Sequence, residues 1–299
     1  MTLRSWLFVP GDSERKLMKA ATCGAHAVVV DLEDSVAPEG KATARMQAAR
    51  WLSAHRQQVL AGQATSRWVR INPLDSHHWR EDLAVVLAGR PDGLLVPKAR
   101  GPEQLRMLTA ELYELEQRNG IMPNATRLIP MVGETAASAL TIPAYASEEM
   151  PRLAGMTWGA QDLAVAIGAT RMHEMAGKAR GDWTETFRLV RSQTLLAAHA
   201  RGGMALETPF ADFTDEKGLK AMAEAARADG FTGMLAIYPA QVPVINQAFA
   251  PSEKEAAEAR RIVELFAANP GAGALQMDGR MVEQPHLQQA RRVLESLRS

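Results

Sequence analysis

The chain has 299 residues, which fits two domains of about 150 residues or one α/β barrel of about 250 with a short extension. Hydrophobic residues make up 46% and charged residues 23%, near the globular average, which excludes a disordered or fibrous protein. Lys and Arg (34) balance Asp and Glu (34), so no excess charge exists to hold a nucleic-acid backbone or an anionic membrane.

In chain order, eight short apolar runs alternate with longer helical stretches. The runs cover 6–9, 27–30, 68–71, 94–96, 128–132, 156–158, 204–206 and 234–237. They are apolar throughout rather than alternating, the pattern of parallel strands buried on both faces. Between them, Ala-, Leu- and Arg-rich stretches at 13–23, 39–60, 102–119, 184–201 and 214–229 predict helices. Asp12-Ser13 precedes the first and Pro102 opens another, both favoured starts. Eight strands alternating with helices predict a (β/α)₈ TIM barrel. An open doubly wound sheet would want a glycine-rich phosphate turn after its first strand. Pro10-Gly11-Asp12 offers one glycine there.

Residues 1–250 are expected to form the barrel and 251–299 a C-terminal helical extension. The stretch 241–249 reads as the last barrel helix. A further helix over 252–268 follows Pro251, with Glu255, Glu258 and Arg261 at i,i+3 spacing for charge pairs. Glycines then make a hinge at 270–274, Asp278-Gly279 signals a turn, and a short helix closes the chain. A tail on such a hinge can cover its own barrel or pack on a neighbouring subunit.

One cysteine, Cys23, rules out an intrachain disulfide or a multi-cysteine zinc site, and reads as a small buried residue. The first apolar run is too short for a signal peptide, and no run approaches the roughly 18 apolar residues of a membrane span. A soluble cytoplasmic protein is expected, with neither nucleic acid nor membrane as partner.

In a barrel, the C-terminal strand ends build the active site. Asp31, Glu33 and Asp34 follow the second run; Arg70 and Asn72 lie at the third; Lys98 follows the fourth; Glu134 follows the fifth; Gln161 and Asp162 follow the sixth; and Glu207 follows the seventh. Arg70 stands inside an apolar strand, where a charge is costly unless paired or used. Glu134 and Asp162, from consecutive strand ends, are candidate ligands for one Mg²⁺, a hard cation whose octahedron water and substrate oxygens complete. Histidines do not make a metal pattern: His77 and His78 are adjacent, so their side chains are expected to diverge, and the others are scattered. Lys98 offers a Schiff-base nucleophile as the alternative to metal chemistry.

With these residues in view, the chain resembles the citrate lyase beta-subunit-like family of the aldolase superfamily over nearly its whole length. The motifs are Arg4-Ser-Trp-Leu-Phe-Val-Pro-Gly11, Asp31-Leu-Glu-Asp-Ser-Val-Ala-Pro38 with Lys41 and Ala44-Arg45, and Val69-Arg-Ile-Asn-Pro73. Val96-Pro-Lys98, Gly133-Glu-Thr135, Trp158-Gly-Ala-Gln-Asp-Leu163, Tyr238-Pro-Ala-Gln241 and Ala248-Phe-Ala-Pro-Ser252 follow in family order. The resemblance implies a (β/α)₈ barrel that forms homotrimers, or hexamers of trimers. It implies a Mg²⁺-dependent carbon–carbon lyase acting on 3-hydroxy-carboxyacyl thioesters. Citramalyl-, malyl-, methylmalyl- or citryl-thioesters are cleaved to an acetyl or propionyl thioester and a 2-oxo acid, or the reverse condensation is run.

Under the resemblance, Glu134 and Asp162 match the metal ligands. Arg70 matches the arginine that contacts the thioester carbonyl and the 2-oxo acid. Pro10, Gly11, Lys41 and Arg45 match the coenzyme A side, and Lys98 joins them as a candidate substrate-binding residue. Three positions depart from the family pattern. Gln161 stands where Glu is common in Gly-Ala-Glu-Asp, and Tyr238 where His is common in Ile-His-Pro. Glu283 replaces the tail aspartate that serves as base from a neighbouring subunit. Glu283 is thus the candidate base, one methylene longer. A class II aldolase acting on a free hydroxy acid is one alternative. An acyl-carrier-protein-dependent citrate lyase beta subunit within a complex is the other.

Overall fold

The computed structural model describes residues 3–60, 65–176 and 179–297. Strands β1 (Ser5–Pro10), β2 (Ala27–Asp31), β3 (Ser66–Arg70), β4 (Gly93–Val96), β5 (Arg127–Val132) and β6 (Gly155–Trp158) are laid down in turn. A hairpin of β7 (His173–Ala176) and β8 (Ala179–Trp183) interrupts them before β9 (Met204–Glu207) and β10 (Gly233–Ala236). The six, then β9 and β10, close as a parallel eight-stranded barrel in which β10 pairs back onto β1. This is the (β/α)₈ barrel expected.

Side chains two apart along a strand point to one face. One such set fills the barrel: Trp6, Ala27, Val29, Trp68, Leu95, Ile129, Met131, Leu206 and Leu235. The Trp6 and Trp68 rings lie 5.0 Å apart within it. Asp31 is two residues past Val29, and Arg70 two past Trp68, so both continue the inward set. The register pairs Asp31 directly with Arg70 across β2 and β3. The polar layer of the mouth therefore rests on an apolar plug.

Helices α1 (Glu14–Ala20), α2 (Lys41–Leu60), α3 (His78–Val86), α4 (Pro102–Arg118), α5 (Ala136–Thr141), α6 (Ala144–Ser147) and α7 (Ala160–Ile167) follow the early strands. Then come α8 (Glu185–Ala200), α9 (Glu216–Asp229) and α10 (Gln241–Ala248). Pro102 takes the first position of α4, where its missing N–H is no loss. Ser13 is the N-cap of α1 but makes no side-chain cap bond. Thr135 and Ser138 close a capping box on α5. No helix among the described residues is long and apolar enough to cross a membrane.

The chain divides into two compact units, one over Leu3–Ile245 and the other from Asn246 onward. The second contains α11 (Glu253–Ala268), β11 (Ala274–Met277), β12 (Arg280–Glu283) and α12 (Gln284–Leu297). Its own core joins Ala259, Ile262, Phe266, Met277, Val282, Leu287 and Ala290. Asp278 and Gly279 both take positive φ, 51° and 77°, the mirror-image turn that suits a two-residue hairpin.

Several local expectations are corrected. Both hairpins escape periodicity because their strands are only four or five residues long. Arg261 does not pair along its helix; its Nη2 donates to both Asp278 oxygens at 2.8 Å, and Glu258 receives Arg280 instead. A hairpin turn folded back onto α11 offers a fixed carboxylate, which a neighbour on the same helix does not. His77 and His78 do not diverge: their rings pack 3.8 Å apart at the start of α3. Cys23 is half-buried rather than buried, its Sγ donating to Ala20 O at 3.1 Å.

Candidate active site

Asp31 closes β2 and is 1% exposed. It accepts from Arg70 twice, Nε to Oδ1 at 2.7 Å and Nη2 to Oδ2 at 2.6 Å. The backbone N–H groups of Glu33 and Ser35 also donate to it. Burial raises the Asp31 pKa, but Arg70, with the Ser35 and Glu33 hydrogen bonds, outweighs that and holds it below its ordinary value. Arg70 is ion-paired through Nη1 to Glu33 Oε2 at 2.9 Å, and its guanidinium lies 4.7 Å from the Phe8 ring centroid. Burial works against the Arg70 charge, yet Asp31, Glu33 and Asp34 raise its pKa. This bidentate clamp answers the problem of a charge in an apolar strand. It fixes the fork and leaves an N–H on each terminal nitrogen unspent.

Lys98 follows β4 with φ at 51°. That left-handed conformation costs a non-glycine residue about 1 kcal/mol and recurs at functional sites. Here it turns the Lys98 N–H onto Glu134 Oε2 in a short hydrogen bond while Nζ meets Glu33 Oε1 at 2.5 Å. Burial lowers the lysine pKa, but Glu33, Asp34 and Glu134 together push it above its ordinary value. A Schiff-base nucleophile must be neutral. These surroundings keep Lys98 an ammonium, which suits it to holding an anion.

Glu134 sits beyond β5 at 2% exposure. Burial first, and then the nearby Asp162 carboxylate, push its pKa from 4.5 to about 8, with Glu33 adding to the effect. The Lys98 N–H and Arg70 pull the other way without prevailing. Asp162 stands in the first turn of α7, half-buried. The structure thus brings the two candidate metal ligands together. Among the described residues, no three His, Cys, Asp or Glu side chains gather as a full metal cage. Two carboxylates that repel one another in a buried mouth are the donors a hard divalent cation relieves, with water and substrate oxygens filling most of an octahedron. The residues present fit such an ion.

Gly159 makes the pair possible. A Cβ there would lie 2.4 Å from Glu134 Cγ and 2.7 Å from its Oε1. Only glycine lets the turn from β6 into α7 pass this close to the carboxylate. Sequence reading missed this role, because nothing in the motif says that a side chain lies against its glycine.

Of the other candidates, some brace this group and some lie apart from it. Gly11 donates to Asp31 O at 2.8 Å, and a Cβ on it would meet that oxygen and Leu32 at 2.9 Å. Pro10, half-buried at the end of β1, is paired in register with Asp31. The Lys41 ammonium is buried on Leu32 O, Glu33 O and Asn72 Oδ1 at 2.7 to 2.8 Å. Arg45 is held by Asp82 at 2.7 Å and Glu81 at 2.6 Å. Asn72 also bonds Asp82 and Leu32 O. These groups brace the Glu33 loop against α2 and α3. Glu207 is wholly buried on Trp158 Nε1, Arg191 Nε and Thr208 N. Gln161 is exposed. Glu283 ends β12 in the C-terminal unit, where its N–H donates to His286 Nδ1 at 3.1 Å.

A closed parallel barrel with an acid pair, a clamped arginine and a lysine at the strand C-termini defines a (β/α)₈-barrel enzyme. Residues 4–239 match the HpcH/HpaI aldolase/citrate lyase family, and the chain belongs to it. The mitochondrial citramalyl-CoA lyase of Mus musculus is 30% identical over 97% of this chain and 85% of its own length. A (3S)-malyl-CoA thioesterase of Cereibacter sphaeroides is 33% identical over 97% of this chain and 93% of its own. Among solved structures, CitE of Mycobacterium tuberculosis in complex with magnesium, acetoacetate and coenzyme A covers 99% of this chain. It aligns with a TM-score of 0.77 at 32% identity, over 98% of its own length.

Proposed function

We propose that the protein is a Mg²⁺-dependent carbon–carbon lyase. It cleaves a 3-hydroxy-carboxyacyl-coenzyme A, of the citramalyl, malyl or citryl kind, to acetyl-coenzyme A and a 2-oxo acid. The observation that carries this reading is the Glu134–Asp162 pair at one mouth with the Asp31-clamped guanidinium of Arg70. Relatives named for citramalyl- and malyl-CoA, and a neighbour solved with magnesium and coenzyme A, support it.

Glu134 and Asp162 would hold the ion. When bound, it supplies a Lewis acid that acidifies the substrate hydroxyl and polarises the 2-oxo group. The Arg70 N–H groups left free by Asp31 donate to the thioester oxygen as it gains negative charge. Lys98, kept protonated, balances the substrate carboxylate. Glu283, brought by a neighbouring subunit of a homotrimer or hexamer, takes the hydroxyl proton. The carbon–carbon bond then breaks, its electron pair moves onto the thioester as an enolate, and the proton returns to the α-carbon.

The test incubates purified protein and Mg²⁺ with citramalyl-, malyl- and citryl-coenzyme A. Acetyl-coenzyme A and a 2-oxo acid are expected in equal amounts. Free coenzyme A with an intact hydroxy acid would make it a thioesterase. Cleavage of the free hydroxy acid would make it a class II aldolase. Activity only on carrier-protein thioesters within a complex would place it in a citrate lyase.

A further inference from the structure

Glu207 is a strand-end carboxylate that turns away from the mouth. Its neighbour Leu206 belongs to the apolar plug, so the alternation of a strand points Glu207 outward, to α8. It is fully buried there. Trp158 Nε1 and Thr208 N donate to its Oε1 at 2.8 and 2.9 Å, and Arg191 Nε donates to Oε2 at 2.6 Å. A carboxylate in so dry a place is costly unless it is paired and hydrogen-bonded. Arg191 is held in turn by Asp229 at 2.6 Å and lies over the Phe231 ring, 4.6 Å from its centroid.

Two routes lead from this carboxylate to the acid pair. Trp158 is the last residue of β6, and Gly159 follows it. The Gly159 N–H donates to Val132 O at 3.3 Å, and Glu134 fills the space where a Cβ would stand. From Gly159 the chain enters α7, whose first turn carries Asp162. Anchoring the Trp158 indole therefore fixes where the turn crosses Glu134 and where α7 begins. The second route runs through α8. Val190, one residue before Arg191, packs on Gly133, where a Cβ would lie 2.4 Å from Val190 Cγ1. Gly133 is the residue before Glu134.

We propose that Glu207 is a positioning residue for the metal pair, holding the Trp158–Gly159 turn and the Arg191 end of α8 so that Glu134 and Asp162 face one ion. The inference rests on reading that pair as Mg²⁺ ligands. Two like charges push apart until a cation arrives, so their backbone has to resist the push. Gly133 and Gly159 have no side chains with which to resist. The resistance comes from the next residues, Val190 against Gly133 and Trp158 beside Gly159, and Glu207 secures both. Groups that orient metal ligands in this way raise affinity without touching the ion.

The experiment titrates Mg²⁺ into the purified protein by calorimetry. In Trp158→Phe, which removes the indole N–H, and in Glu207→Ala, the Mg²⁺ Kd is expected to rise about tenfold or more. Raising Mg²⁺ above the new Kd should bring kcat back to within about threefold of wild type, because both ligands remain. Glu207→Gln, whose amide oxygen still accepts from Trp158, should lose less than the alanine variant. Two controls separate positioning from stability and packing. Glu116→Gln breaks a buried ion pair with Arg152 and should melt lower with an unchanged Kd. Trp183→Phe alters the ring packed 4.9 Å from Trp158 and should also leave the Kd alone. A wild-type Kd in Trp158→Phe overturns the inference, and that variant decides if Glu207→Ala does not fold. An equal rise in either control overturns it as well. Wild-type protein that binds no Mg²⁺ sinks the metal reading and this inference with it. The expected Kd changes in a protein that cleaves no thioester sink only the lyase reading.

Discussion

Glu116 and Glu134 are equally hidden from water, at 0% and 2% exposure, yet they are in opposite electrical states. Glu116 lies under the strand N-termini. Arg152 donates to both its oxygens at 2.6 and 2.7 Å, and the N–H groups of Asn124 and Thr126 donate at 2.9 Å. Burial raises its pKa, but these donors outweigh burial and hold it below its ordinary value. Glu134 lies at the opposite ends of the strands, with the Lys98 N–H as its hydrogen-bond donor and Asp162 as its neighbour, and its pKa is driven to about 8. The first is a finished ion pair that holds the barrel together. The second is short of positive charge, which is what a cation site requires before its ion arrives.

The comparison breaks most sharply by mutation. Glu134→Gln should lower kcat by about 10³-fold or more at saturating Mg²⁺, since an electrostatic group at the reacting centre contributes on that order. Its Tm should hold or rise, because a strained carboxylate has been removed. Glu116→Gln should do the reverse. Leaving Arg152 buried and unpaired costs about 3–5 kcal/mol, read as a fall in Tm with Mg²⁺ dependence unchanged. Equal effects of the two on activity would erase the distinction.

Glu283→Gln should lower kcat by roughly 10²–10⁴ without affecting Mg²⁺ binding. If the base crosses between subunits, refolding it together with Arg70→Ala should regain activity that neither variant has alone. No recovery in mixed oligomers would place the base on the same chain as the arginine or remove it from the reaction.

Gly159→Ala should be milder, because the new methyl displaces Glu134 rather than deleting it. Mg²⁺ affinity should weaken by about tenfold, as for other changes that disturb ligand orientation. The same change at Gly24, where a Cβ meets nothing within 4 Å, should leave Mg²⁺ affinity alone.

The smallest effect is in pH. The Glu134 folded pKa, about 8, lies above the ordinary 4.5. Its contribution to stability is therefore full below 4.5 and is lost as pH rises through 8. Because the proton competes with the ion, Mg²⁺ affinity should climb as pH rises toward 8 and level off above it. Glu116 has a lowered pKa, so its contribution is full above 4.5 and is lost as pH falls. Acid denaturation should be flatter in Glu116→Gln. A Mg²⁺ affinity that does not change between pH 6 and 8 would show that Glu134 is ionised without the metal.

The barrel was legible because buried parallel strands must be apolar on both faces, and eight such runs at helix-length spacing leave few other folds. Asp31, Arg70, Lys98, Glu134 and Asp162 were legible because barrel geometry collects polar residues at strand ends. The hairpins were not, since their strands are only four or five residues long and, in the second hairpin, bury just Met277 and Val282. Lys41 and Arg45 show the limit of a motif. The resemblance matches them to the coenzyme A side, and what a motif cannot show is that the fold also engages them with Leu32 O, Asn72, Glu81 and Asp82.

Composition and periodicity alone determined the parallel strands, their number and the end of the barrel that carries chemistry, because hydrophobic burial acts on each segment through its own residues. Tertiary structure alone decided which charges are satisfied. Whether a glutamate meets an arginine, as Glu116 does, or another acid, as Glu134 does, depends on groups 36 and 28 positions away in the chain. Coulomb energy is set by distance in space, and only folding fixes that distance.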